Sequence, residues 1–249
     1  MPPTHGRGPA GSSKRALLIA ALVAAALAST ALPSLATAAP RDVFLVKPYL
    51  QLGHSTSREH LTLMWHTRDE EATFGLETRI TGEGVGLGNK TFRLEPSPAF
   101  TRVAVRGVEP HRVWWATIYG LRAGDSLEYR VLLDGKRVFA SHARAPRGAA
   151  QSYRFAVFGD SGQDSPAQKA VAYQIAEAKP DFAFITGDIV YSRGRVSEYA
   201  KHFPIYNADR SDPKIGAPLL RSVPFVAAPG NHDIANTDLE TNPDGLAYF

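Results

Sequence analysis

Cysteine is absent from all 249 residues. That excludes disulfides, Cys-ligated zinc, a thiol nucleophile and a lipoprotein anchor. Long apolar runs are scarce as well. The run from Ala16 to Ala28 is shorter than the about 20 residues a comfortable membrane span needs. Charge is in no excess either: charged residues make up 21% of the chain, close to the globular average, which excludes a chain disordered throughout. At roughly 150 residues per domain, the length allows one or two domains, each able to bury a core.

What is present at the N-terminus is an export pattern. Arg7, Lys14 and Arg15 precede the apolar run, no acid interrupts it, and Ala36-Thr37-Ala38 makes an A-x-A cleavage site. Residues 1–38 therefore read as a signal peptide cut before Ala39, and the protein as exported, secreted or periplasmic. Losing those three cations lowers the formal charge from +4 to +1. A nucleic-acid partner then has no electrostatic support, and no stable membrane anchor remains after cleavage.

Residues 39–147 carry short β-branched and aromatic runs between turn signals, which predicts an all-β sandwich. The runs are Val43–Val46, Leu61–Trp65, Phe92–Leu94, Thr101–Val105, Val113–Ile118 and Leu127–Leu132. Leu61, Leu63 and Trp65 alternate with Thr62 and Met64, as in a half-buried strand. Asp134-Gly135 is a hairpin signal, and Gly82–Gly88 is too glycine-rich for a strand interior. The small, turn-prone stretch Ala143–Ala150 reads as a linker.

From residue 151 to 249 the pattern changes to α/β. Arg154–Phe158, Asp181–Thr186 and Val223–Ala228 are short apolar runs, predicted to be parallel strands buried on both faces. Between the first two lies a helix opened by Ser165 as N-cap, with Pro166 in the first turn and Gln168 at the capping-box position; Pro180 stops it. A second helix is predicted near Val196–Tyr206.

Each of the three strands runs into a polar turn bearing glycine: Gly159-Asp160-Ser161-Gly162, Gly187-Asp188-Ile189-Val190-Tyr191 and Gly230-Asn231-His232-Asp233. Ligands of open parallel sheets bind beyond the carboxyl ends of the strands, so the three turns are expected to meet. One Gly-Asp is by itself an ordinary turn, and one tyrosine an ordinary packed aromatic. Together they supply two carboxylates, a phenol, an amide oxygen and an imidazole. That is a hard-oxygen set suited to Fe(III), Mn(II) or Zn(II).

With Lys179-Pro180-Asp181-Phe182 before the second turn, these motifs resemble the calcineurin-like metallophosphoesterases. Tyr191, three residues after Asp188, resembles the purple acid phosphatases within them, as does the opening Lys47-Pro48-Tyr49-Leu50-Gln51. Gly120–Val131 is similar to the end of a fibronectin type III domain, where Tyr129 would anchor a corner. The resemblance covers residues 43–249. It implies that Asp160 binds Fe(III), that Asp188 bridges it to a second divalent metal (Fe, Zn or Mn), and that Tyr191 gives iron a phenolate. Asn231 would bind the second metal, and His232 would sit beside the phosphate, stabilising charge or protonating the leaving oxygen. The implied function is an exported dinuclear-metal phosphatase that hydrolyses phosphate monoesters by attack of a metal-bound hydroxide. A metallophosphodiesterase and a catalytically dead binding module stay open as alternatives.

The family's other ligands are three histidines, one alone and two in a Gly-His-x-His motif, and neither motif occurs before Phe249. The resemblance therefore implies a C-terminally truncated chain in which only the first βαβαβ half of the phosphoesterase domain is present. These 249 residues are accordingly expected to have little or no activity and to leave apolar sheet surface uncovered. His54, His60, His66, His111, His142 and His202 read as surface or hydrogen-bonded histidines. Asp164, Asp233 and Asp238 read as turn or supporting groups, and Asn89-Lys90-Thr91 is a glycosylation sequon.

Overall fold

The computed structural model describes residues 42–53, 59–82 and 91–248, and residues 41–249 form one compact unit. The export pattern at 1–38, His54, the glycine run after Gly82 and the sequon's Asn89 and Lys90 lie outside the described residues.

Eight strands come first: β1 (Val46–Gln51), β2 (His60–Arg68), β3 (Phe74–Thr81), β4 (Arg93–Leu94), β5 (Ala99–Val103), β6 (His111–Tyr119), β7 (Ser126–Leu133) and β8 (Lys136–Arg144). They make two antiparallel four-stranded sheets, ordered β1-β2-β6-β5 and β4-β3-β7-β8. Both sheets bury side chains in one core. Leu61, Leu63 and Trp65 of β2 meet Leu76 of β3 and Leu127, Tyr129 and Val131 of β7 there. Asp134 and Gly135 both take left-handed φ, 50° and 76°, as the tight turn between β7 and β8 requires.

One strand, β3, was not expected from the sequence, and β8 was implied only by the hairpin signal at Asp134-Gly135. β3 is half-buried, with Phe74, Leu76 and Ile80 inward and Glu77 and Arg79 outward. The strand expected at Val43–Val46 instead begins at Val46 and continues through Pro48. An edge position tolerates Pro48, which has no N–H to give a neighbour on the open side.

The remaining elements are β9 (Phe155–Phe158), α1 (Pro166–Glu177), β10 (Phe182–Ile185), α2 (Val196–Tyr206), β11 (Asn207–Asp212), β12 (Gly216–Pro218) and β13 (Phe225–Ala227). β9 and β13 each pair in parallel with β10, giving the order β13-β10-β9. The hairpin β11–β12 had no expectation attached to it. Ser165 caps α1 by accepting the Gln168 N–H at 3.2 Å. The Gln168 carboxamide does not complete a capping box; it is buried beside the Tyr206 hydroxyl.

The three parallel strands are not buried on both faces as their apolar runs suggest; they leave apolar sheet surface uncovered, which the sequence also leads one to expect. Phe155 is 51% exposed, Val157 55% and Phe184 38%. On the other face Ala183, Ile185 and Phe225 share a core with Ala172 of α1 and Ile205 and Tyr206 of α2. Among the described residues no second layer covers the exposed side.

The strip Lys47–Leu50 ties the two sets of elements together. Asn207 Nδ2 donates to the carbonyls of Lys47 and Pro48, both at 3.1 Å, and Leu50 N donates to Leu220 O at 2.8 Å. The Tyr129 hydroxyl donates to Arg221 O at 2.7 Å. The expected corner tyrosine therefore reaches out of its own sheets.

Candidate metal centre

Three strand ends bring the turns into contact through backbone hydrogen bonds. Asp160 N donates to Gly187 O at 3.1 Å and Ser161 N to Asp188 O at 2.9 Å, which joins the first turn to the second. His232 N donates to Asp188 Oδ1 at 3.1 Å, which joins the third. The approach is close enough to demand glycine at position 230. A Cβ there would lie 2.2 Å from Asp188 Oδ1 and 2.3 Å from Asp188 N.

Asp160 and Asp188 both adopt left-handed backbone conformations, at φ 52° and 50°. Aspartate bears this better than most residues, yet the conformation carries a cost, and such strain concentrates at functional sites. It is held here by the inter-turn bonds just described.

The side chains of Asp160, Asp188, Tyr191 and His232 come together. The Tyr191 hydroxyl donates to Asp160 Oδ1 at 2.5 Å and lies 3.3 Å from Asp188 Oδ2. The hydrogen bond to Asp160 and the negative charge of both carboxylates hold this phenol protonated well above the usual tyrosine range. The His232 ring lies against Tyr191, with centroids 4.6 Å apart. Its Nδ1 is 3.0 Å from the carbonyl of Ser192. Asn231 is exposed in the same turn.

Asp233, noted in the sequence only as a turn or supporting group, organises the site. Its carboxylate is fully buried. It accepts N–H bonds from Ile189 (3.1 Å), Val190 (3.2 Å) and Gly230 (2.8 Å), and one from the Tyr199 hydroxyl (3.1 Å). The second and third turns are thus fastened to one anion, and α2 is fastened to both. Glu198, next to Tyr199, was not noted from the sequence at all. It accepts from Ser192, Arg193 and Arg195 N–H groups and holds the chain that follows Tyr191. An acid at the third position of a helix is a legible N-terminal signal, and it was the available clue.

The other candidates lie elsewhere. Asp164 pairs with Lys169 at 3.0 Å, and Asp238 caps the turn to Thr241. His202, expected at the surface or hydrogen-bonded, is buried against the ring of Tyr206 at 4.6 Å and hydrogen-bonds the backbone of Ile189, while its Nδ1 has no partner.

The donor set fits one hard cation. Asp160, Asp188 and Tyr191 already share a hydrogen-bonding proton, and three convergent oxygens suit Fe(III) or Mn(II). A second cation would have Asp188 and Asn231. Among the described residues, no group of three or more His, Asp or Glu side chains is placed to hold a metal ion.

The segment holding all three turns also has relatives. Residues 153–248 match the family model of the calcineurin-like phosphoesterases. Among solved structures, the purple acid phosphatase PPD1 from yellow lupin (Lupinus luteus) seeds superposes with a TM-score of 0.57 at 17% identity, over 80% of this chain and 38% of that one. PhoD superposes with a TM-score of 0.47 at 12% identity, over 80% of this chain and 41% of its own. The first likeness is one of fold. The chain spans about two-fifths of the length of these structures. No curated protein matches it.

Proposed function

We propose that the chain carries the metal-binding face of an exported, purple acid phosphatase-like phosphoesterase acting on phosphate monoesters. One observation carries this reading: the Tyr191 hydroxyl is bonded to Asp160 and lies beside Asp188 at the ends of two parallel strands. Asp160, Asp188 and Tyr191 would hold Fe(III), and Asp188 with Asn231 a divalent partner (Fe, Zn or Mn). Such a pair supplies Lewis acidity toward phosphoryl oxygens and acidifies bound water.

The protein's own residues do the rest. Tyr191 would give up its proton to solvent to act as a phenolate, which would free Asp160, now the acceptor of that hydrogen bond, to hold the same ion. Asp188, held by His232 N and by the Ser161 backbone, stays fixed between the two positions. His232 stands beside Tyr191 to meet the phosphate. Export is supported by the pattern in residues 1–38. The sheet orders β1-β2-β6-β5 and β4-β3-β7-β8 support a fibronectin type III-like reading of residues 39–147, with the phosphoesterase segment at 151–249.

The test is iron loading of the purified chain and of Tyr191→Phe, followed by visible absorption. The chain is expected to bind Fe(III) with a charge-transfer band that Tyr191→Phe abolishes. A band unchanged in the variant would overturn the phenolate assignment. Turnover of p-nitrophenyl phosphate by these 249 residues is expected to be slight, because among the described residues the second position would have Asp188 and Asn231 alone. Faster turnover of bis(p-nitrophenyl) phosphate than of the monoester would favour the diesterase. Absence of both metal uptake and turnover would favour a binding module.

A further inference from the structure

We propose that Glu198 is a positioning residue that sets the tautomer of His232, protonated on Nδ1 and leaving Nε2 as the acceptor of the neutral ring. The chain of bonds is short. Glu198 Oε1 accepts Ser192 N–H at 2.6 Å, and Oε2 accepts Arg193 N–H at 3.1 Å and Arg195 N–H at 2.9 Å. Three amides on one carboxylate fix the peptides of residues 192–195. The carbonyl of Ser192 is thereby set 3.0 Å from His232 Nδ1. A carbonyl oxygen only accepts, so the imidazole nitrogen facing it must carry the hydrogen. The hydrogen bond made by one ring nitrogen decides which one is protonated. The ring is further held by Tyr191 at 4.6 Å and by its own backbone N–H on Asp188 Oδ1.

The consequence is chemical. A neutral His232 offers a lone pair on Nε2 and acts as an acceptor or base, and it gives a proton from Nε2 only as the imidazolium. What it meets there, a phosphoester or another anion, rests on the function proposed above. The tautomer does not.

The experiment is a long-range proton–nitrogen NMR correlation on metal-free, full chain labelled with nitrogen-15 histidine, at a pH where His232 is neutral. Its signals are assigned by their loss in His232→Gln. The wild type is expected to show Nδ1 protonated. A dominant Nε2–H form overturns the proposal without recourse to any variant. In Glu198→Gln, half of the acceptor becomes a donor, and the Nδ1–H to Nε2–H ratio is expected to fall about fivefold, the loss of one ordinary net hydrogen bond. An unchanged ratio in a folded variant overturns the role of Glu198, since a residue that only caps α2 would lower the melting temperature and leave the tautomer alone. Should Glu198→Gln not fold, Glu198→Asp, whose carboxylate is drawn back by one methylene, is read for the same two outcomes. No metal or substrate enters, so failure here and failure of the phosphatase reading are separate results.

Discussion

At the scale of single residues, Asp233 shows how a site is held by a group that touches none of its chemistry. Its buried carboxylate satisfies three backbone N–H groups and a phenol, drawn from two turns and one helix. Asp233→Asn would set an amide N–H against at least one of those donors, in a place water cannot reach. Charge-assisted bonds and buried unpaired groups are costly, so the variant is expected to lose about 3 kcal/mol in urea unfolding and to loosen metal binding. Tyr199→Phe removes only the phenol and should cost about 1 kcal/mol. Equal stability of Asp233→Asn and wild type would mean that the three turns are held by their mutual backbone bonds alone.

At the scale of elements, the parallel sheet has an apolar side that no described residue covers. Phe155, Val157 and Phe184 are exposed, and Tyr153, Phe155, Phe182 and Phe184 form a run of ring contacts, with Phe155 and Phe182 stacked at 5.6 Å. β9 is also the sheet's edge, with one row of backbone groups unpaired by its neighbour β10. An exposed apolar edge of this kind invites association. The native chain should therefore bind a hydrophobic dye and aggregate with concentration. Phe155→Ser together with Val157→Thr should reduce dye binding several-fold at little cost in stability. Undiminished dye fluorescence would place the apolar surface elsewhere.

At the scale of the whole molecule, a half-buried histidine, His66, and a buried one, His202, make stability depend on pH. His66 of β2 packs on Tyr49 and Phe203, and burial, then the charge of His111, lowers its pKa to about 4. Burial likewise lowers His202 of α2 to about 4. Unfolded histidine titrates near 6.5, so between those values the unfolded chain binds more protons than the native one. Stability from these two groups is fully present above about pH 6.5, falls as pH drops toward about 4, and levels off below. The loss is at most roughly 3 kcal/mol per histidine. Urea unfolding at pH 7, 5.5 and 4 should show this decline, and His202→Gln should flatten part of it. A flat profile would mean that burial does not hold either ring neutral below the pH at which the unfolded chain takes up protons. His66 lies where β1, β2 and α2 meet, and His202 lies beside Ile189 and Asp233, so acid should loosen both the junction and the turn that α2 holds.

The parts legible in the sequence are those that short stretches decide. An apolar run followed by glycine and a polar residue marks a strand end, and three such runs placed Asp160, Asp188, Tyr191, Asn231 and His232 in one neighbourhood. Ser165 and Pro166 likewise announced α1, because a helix start is satisfied by its own side chains. β3 alternates as clearly as β2, and β8 follows the Asp134-Gly135 hairpin signal, so both are legible in the pattern of the chain. Other features could be decided only by tertiary structure. Whether an apolar strand is covered depends on which layers pack on it, so the strings containing Phe155 and Phe184 read as buried while their side chains are exposed. Asp233 and Glu198 gather donors from up to 44 residues away and from the next turn, respectively. A sequence names a carboxylate; only the fold decides which N–H groups arrive to claim it.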